Sequence, residues 1–196
     1  MKLLARIGLV SGLAFLLISG VGLISGIIPL PLQDIALIEV RAVNEIRPPL
    51  QSNDAPPRGQ PYLRVTLSSS QNLIAKGQRS ELNIYPLVVD CTNRDASFFA
   101  YGPFYRGLHV SPLMTDSDNP AFDQLGRERA RRYDYQIFIP ISGRLRSESD
   151  FNRPMPSYHL SEGRALCIGL GGGNMLGGRF RSNEVRLEFP RSRNPE

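Results

Sequence analysis

Lys2 and Arg6 precede a run without charge from Ile7 to Gln33, and from Ile7 to Ile28 it is apolar or small throughout. As an α-helix those residues would be about 33 Å long, the thickness of a bilayer's hydrocarbon layer. A soluble core helix of that length with no polar face is unusual. Basic residues flank only the N-terminal side, so the N-terminus is expected in the cytoplasm and the remainder across the membrane. Residues 1–32 are therefore expected to form an uncleaved signal anchor, a single transmembrane helix. A cleaved signal peptide is the competing reading, with Ile7–Ile18 as its apolar region and Ser19-Gly20-Val21-Gly22 as the small-residue site. Leu23, Ile24, Ile27 and Ile28 continue the apolar run past that site, which favours the anchor. Both readings export the domain.

Pro29 and Pro31 end the helix, because neither can donate to it. Residues 33–61 are read as a linker. Its first part is ambiguous: Ile38, Val40 and Ala42 alternate with Glu39 and Arg41 as in a strand, but Ile35, Ile38, Ala42 and Ile46 also fit a helical face. From Arg47 to Pro61 the chain is proline-rich and aperiodic, as linkers are.

Residues 62–190 then carry a β pattern, followed by a polar tail at 191–196. Leu63, Val65 and Leu67 alternate with Arg64, Thr66 and Ser68. Leu82, Ile84 and Val88 lead on to Cys91, and Asn93-Arg94-Asp95 marks a turn before Ser97–Tyr101. Tyr133, Tyr135, Ile137 and Ile139 form the clearest strand face. Leu166, Ile168 and Leu170 lie opposite Ala165 and Cys167, and Val185, Leu187 and Phe189 close the series. The pattern predicts an all-β domain, sandwich or barrel-like, of roughly six or seven short strands. One short helix is expected near 120–131, capped by Asp118 or Asn119 and opened by Pro120.

Composition adds little beyond a folded class, but charge is uneven. Residues 34–126 hold 8 basic and 10 acidic side chains, whereas 127–193 hold 13 and 7, so the basic balance sits in the second half. Lys2 and Lys76 are the only lysines; the arginine bias points to a GC-rich, bacterial genome. Arg127, Arg129, Arg131 and Arg132 are the densest cluster. With Arg179 and Arg181, and with Arg144 and Arg146, they are a candidate surface for anionic lipid head groups, acidic glycans or an acidic protein partner. The alternative is a solvated helix end, where positive charge suits the dipole. Export argues against nucleic acid as the partner.

Cys91 and Cys167 are the only cysteines, and two cysteines in an exported chain are expected to pair. Their spacing resembles the bridge between the sheets of an immunoglobulin-like sandwich. The chain has no Trp to pack on such a bridge, and Tyr158 is too far from Cys167 for a tyrosine corner, so no family is assigned.

The run Gly169-Leu170-Gly171-Gly172-Gly173-Asn174-Met175-Leu176-Gly177-Gly178 lacks the Lys-Ser/Thr pair and following helix of a nucleotide loop. It is read as a flexible connection between the last two strands. His109 and His159 both sit in apolar settings. Asp116, Asp118 and Asp123 do not have EF-hand spacing. No G-x-S-x-G, no H-E-x-x-H and no recognisable Ser-His-Asp grouping is present, so neither enzyme activity nor a cofactor or metal is expected. Phe98, Phe99, Tyr101, Phe104 and Tyr105 are dense enough for part of them to form an exposed patch. The resulting expectation is a membrane-anchored extracytoplasmic β-domain, periplasmic in a Gram-negative cell, that binds or scaffolds another envelope component. An exported module for anionic glycans or lipid head groups is the alternative.

Overall fold

The computed structural model describes residues 32–46, 50, 52, 56–114, 119–147, 149–150, 152–160, 164–175 and 178–189. Among them no helix is long and apolar enough to cross a membrane. Residues 1–31 of the anchor expected at 1–32 lie outside the described residues, as do the polar tail, Asp116 and Asp118, while Leu32 is described and buried.

The described residues are mostly antiparallel β-structure with two short α-helices. Strands β1 (Ala36–Val43), β2 (Tyr62–Ser69), β3 (Asn83–Asp90), β4 (Ala96–Ser97), β5 (Tyr101–Tyr105), β6 (Leu108–His109) and β7 (Tyr133–Pro140) form the first part. They are followed by β8 (Ser142–Arg144), β9 (Arg146–Ser147), β10 (Ser157–His159), β11 (Ala165–Gly173), β12 (Arg179–Arg181) and β13 (Val185–Glu188). Helix α1 is Leu73–Ser80 and α2 is Pro120–Arg127. One sheet has the order β1-β2-β7-β5-β6; the other has the order β12-β11-β3-β4-β9, with β13 also on β11, and β8 pairs with β10.

The first sheet is built on the β2–β7 ladder, in which Leu63, Val65 and Leu67 stand opposite Ile139, Ile137 and Tyr135. Successive side chains alternate faces, so these six point one way, and all are buried. The second sheet is built on β3 and β11, and contributes Ile84, Val88, Leu166, Ile168 and Leu170 to the same hydrophobic cluster. One core thus serves both sheets. Leu73 and Ile74 of α1 and Phe122 of α2 cover it at one end. Asn72 caps α1 by accepting from the Ala75 N–H, and Asn119 caps α2 through Ala121 N–H with Pro120 in the first turn.

Four expectations change. The described residues form thirteen strands where six or seven are expected, because several pairings involve only two or three residues. Helix α1 was not expected. The 33–61 stretch is not all linker: β1 lies inside it and pairs with β2 from Ala36↔Ser68 to Val43↔Tyr62, with a bulge between Leu37 and Glu39. Even before β1, Leu32 and Ile35 are already in the core. Finally, Gly169–Gly173 is not a loop but the second half of β11. A Cβ on Gly172 would sit 2.1 Å from the Phe180 ring; bare backbone there lets Phe180 lie flat across the strand.

Candidate functional site

Placed on this fold, the arginines do not make one surface. Arg127 ends α2 and sits 3.9 Å from Asp123, one turn earlier. Arg129 and Arg131 are exposed on the coil leading to β7. Arg132 is a clamp: its Nε donates to Ser68 Oγ at 2.9 Å, and its Nη2 donates to the Asp34 and Ser68 carbonyls, each at 3.1 Å. Arg179 and Arg181 lie on β12 of the other sheet, with α1 between them and α2: Lys76 lies over the Phe180 ring, and Gln78 bonds Asp123. Arg144 is on β8, and Arg146 stacks 4.6 Å over Phe99.

The clamp belongs to a latch that holds the start of the domain. Asp34 accepts from Ser69 Oγ at 2.7 Å and from the Ser70 N–H. Burial pushes the Asp34 carboxyl up, but the bonds from Ser70 and Ser69 and the charge of Arg132 outweigh it, so it is held below the ordinary carboxylate value. On the other side, Asn183 takes the Ile35 N–H on its Oδ1 at 2.9 Å and donates Nδ2 to the Ile35 carbonyl at 2.8 Å. Its own N–H bonds the Leu32 carbonyl at 3.1 Å.

Cys91 and Cys167 are bridged, with their Cα atoms 5.1 Å apart. The bridge does not join the two sheets. Cys167 stands opposite Val89 of β3, and Cys91 follows that strand; Leu166 and Ile168 take the core side, so the sulfur lies on the outer face of a single sheet.

The two histidines sit in different settings. The His109 Nδ1 accepts the Ser111 N–H at 3.1 Å and Nε2 lies 3.0 Å from the Gly102 carbonyl, so the ring is the Nε2–H tautomer with both nitrogens used. His159 is exposed on β10. Ser147 donates to Asp95 at 3.0 Å, and Ser149 N–H does so at 2.9 Å. The Ser149 bonds hold the Asp95 carboxyl below its ordinary value, which makes it an acceptor rather than a base. Among the described residues no three His, Cys, Asp or Glu side chains converge as a metal would require.

What the fold does assemble is a cleft of about 800 Å³ under the arch that joins β1 to β2, within the size range of small-ligand sites. Ile46, Leu50 and Tyr62 give it an apolar wall, and Asn44, Glu45 and Gln60 give it polar groups. The Tyr62 hydroxyl donates to the Pro57 carbonyl at 2.8 Å and also bonds Gln60 Nε2. Burial raises its pKa, with the Gln60 bond acting the other way. Tyr101 meets Tyr62 edge-on at 6.0 Å, and Phe99 meets Tyr101 at 4.6 Å. A line of rings therefore runs from the cleft to Arg146. The expected aromatic patch divides accordingly: Phe99 and Tyr101 are half-buried beside the cleft, while Phe98, Phe104 and Tyr105 are buried.

No family model, curated protein or solved structure matches this chain. The functional reading therefore rests on the residues alone. Sequence reasoning found the aromatics but not the cleft, because the arch becomes visible only once β1 is paired with β2.

Proposed function

We propose that this protein is an exported β-domain held at the membrane by its N-terminal segment, where it binds or scaffolds another envelope component without catalysing a reaction. The observation that carries the reading is the latch at Leu32–Ile35. The apolar run that can span a bilayer ends at Ile28, and only Pro29-Leu30-Pro31 separate it from a residue fully buried in the domain core. The domain begins where the expected anchor stops. The Cys91–Cys167 bridge is the second support, since disulfides persist in oxidising compartments. Carbonate extraction of native membranes with N-terminal sequencing tests the anchor: the reading expects an intact Met1 in the pellet, and a mature N-terminus near Leu23 in the soluble fraction would overturn it. Affinity capture from solubilised membranes tests the scaffold role; absence of any stoichiometric partner at native expression would count against it.

The second reading, a ligand-binding module, is favoured by the cleft and its aromatic line. Aromatic faces beside hydrogen-bonding groups suit sugars, and Arg58 at the rim suits an acidic one. Calorimetric titration with acidic oligosaccharides tests it. Binding should weaken in Arg58→Ala and Gln60→Ala, and no heat of binding in the unmodified chain would remove it.

A further inference from the structure

The latch also orients the domain. Ala36, Ser68, Ser69, Tyr133 and hence Arg132 lie at one end of the first sheet, with Leu32 and Asp34 bonded beside them. From there β1 runs eight residues to Val43, roughly 25 Å at strand rise. The arch with Arg58, and Ser142–Arg144 following Pro140, are at the opposite end. Three residues, Pro29–Pro31, reach at most about 10 Å. On the anchored reading proposed above, the pole that holds Leu32 must therefore lie within one short tether of the bilayer.

That pole is basic. Arg129 and Arg131 are exposed, and neither takes part in any of the ion pairs of the described residues, while Arg132 is fixed by Asp34 and Ser68. The carboxylates at this end include Asp34, already satisfied by Ser69 and Ser70, Glu128, paired with Arg106 at 2.8 Å, and the exposed Asp134. Guanidinium groups are planar, bidentate donors to phosphate. We infer that this pole lies on the head-group layer of the membrane that anchors the chain, with Arg129 and Arg131 bonded to anionic phospholipid phosphates. The densest arginine cluster and the anchor are then parts of one device: the tether brings the pole to the surface, and the arginines set which way the domain stands on it.

The test uses the full chain in nanodiscs of phosphatidylcholine alone or with phosphatidylglycerol. Surface arginines are footprinted with phenylglyoxal and read by mass spectrometry. Arg129 and Arg131 should react about fivefold more slowly in the anionic discs, the factor expected for one basic residue at an anionic surface. High salt should abolish the difference, and Arg58 and Arg144 should react equally in both discs. Equal reactivity of Arg129 and Arg131 in both compositions, in a chain that stays with the discs, overturns this inference and leaves the anchor standing. A chain that separates from both kinds of disc on flotation overturns the anchor and the inference together.

Discussion

Asn183→Ala removes two of the three bonds by which Asn183 fastens the first described residues to the rest of the domain, and the structure separates two outcomes by size. The lost bonds are Ile35 N–H to Oδ1 at 2.9 Å and Nδ2 to the Ile35 carbonyl at 2.8 Å. Each contributes about 1 kcal/mol net, so the variant should lose about 2 kcal/mol of stability. Undocking the segment would cost more. Leu32 and Ile35 are 0% and 4% exposed, and exposing both would forfeit about 4 kcal/mol of apolar burial. Burial therefore wins: the segment should stay docked in Asn183→Ala, with a weakened latch but β1 still paired to β2.

Urea unfolding followed by far-UV circular dichroism gives the first number, and hydrogen exchange gives the second. Exchange at the Ile35 amide should speed up, while the amides of Val40 and Ala42 stay protected. A loss under about 0.5 kcal/mol would mean that the Asn183 bonds contribute nothing net to stability. Simultaneous release of β1 would mean that apolar burial does not hold the segment. Either result refutes the reasoning.

Replacing both cysteines, Cys91→Ser with Cys167→Ser, opens a loop of sequence separation 76 and should cost about 4.5 kcal/mol in the chain-entropy account; a loss below about 1 kcal/mol in urea unfolding would contradict it. Tyr135→Phe strips the Leu73 N–H of its acceptor at 2.8 Å and the Gln71 carbonyl of its donor at 2.7 Å, both at the start of α1. It should cost about 1–3 kcal/mol, and an unchanged unfolding midpoint would count against it. Burial raises the Asp34 and Asp90 carboxyls, but hydrogen bonds from Ser70 and Thr92 lead the groups that bring them below the ordinary value of 3.8 in the folded chain. The unfolded state then binds more protons in acid. Their contribution is complete above pH 3.8 and is lost as pH falls through the lower folded values. Unfolding free energies measured from pH 6 to 2 should decline at the acid end less steeply in Asp34→Asn than in the parent chain.

The parts of the fold legible in the sequence are those where one physical rule acts alone. In β7 the core side takes Tyr133, Tyr135, Ile137 and Ile139 without interruption, so period two is visible. Asn119-Pro120 announces α2 by capping chemistry that needs no tertiary context. By contrast, β1 contains a bulge at Leu37/Glu39, which leaves Ile38 58% exposed. The inserted residue breaks the alternation, and Ile35, Ile38 and Ala42 then imitate a helical spacing. Helix α1 escapes notice because only Leu73, Ile74 and Gly77 are buried over eight residues. The position of the disulfide is legible in the same alternation. If Leu166, Ile168 and Leu170 face the core, Cys167 must face outward, and an outward sulfur cannot reach across the core to the other sheet.

The same topology bears on how the two functional readings relate. Both the latch and the cleft are made by β1, one at each end: Ala36 stands beside Ser68 at the latch, and Val43 beside Tyr62 at the cleft. The strand is too long for one group to serve both sites, so an anchored pole leaves the cleft roughly 25 Å further into the compartment. The two proposed roles, anchoring and ligand binding, thus fall on opposite poles, and evidence for one does not weaken the other. On the proposed anchored reading, the lipid dependence of Arg129 and Arg131 tells an anchored protein from a secreted one, because a released domain loses the tether that holds that pole near the bilayer.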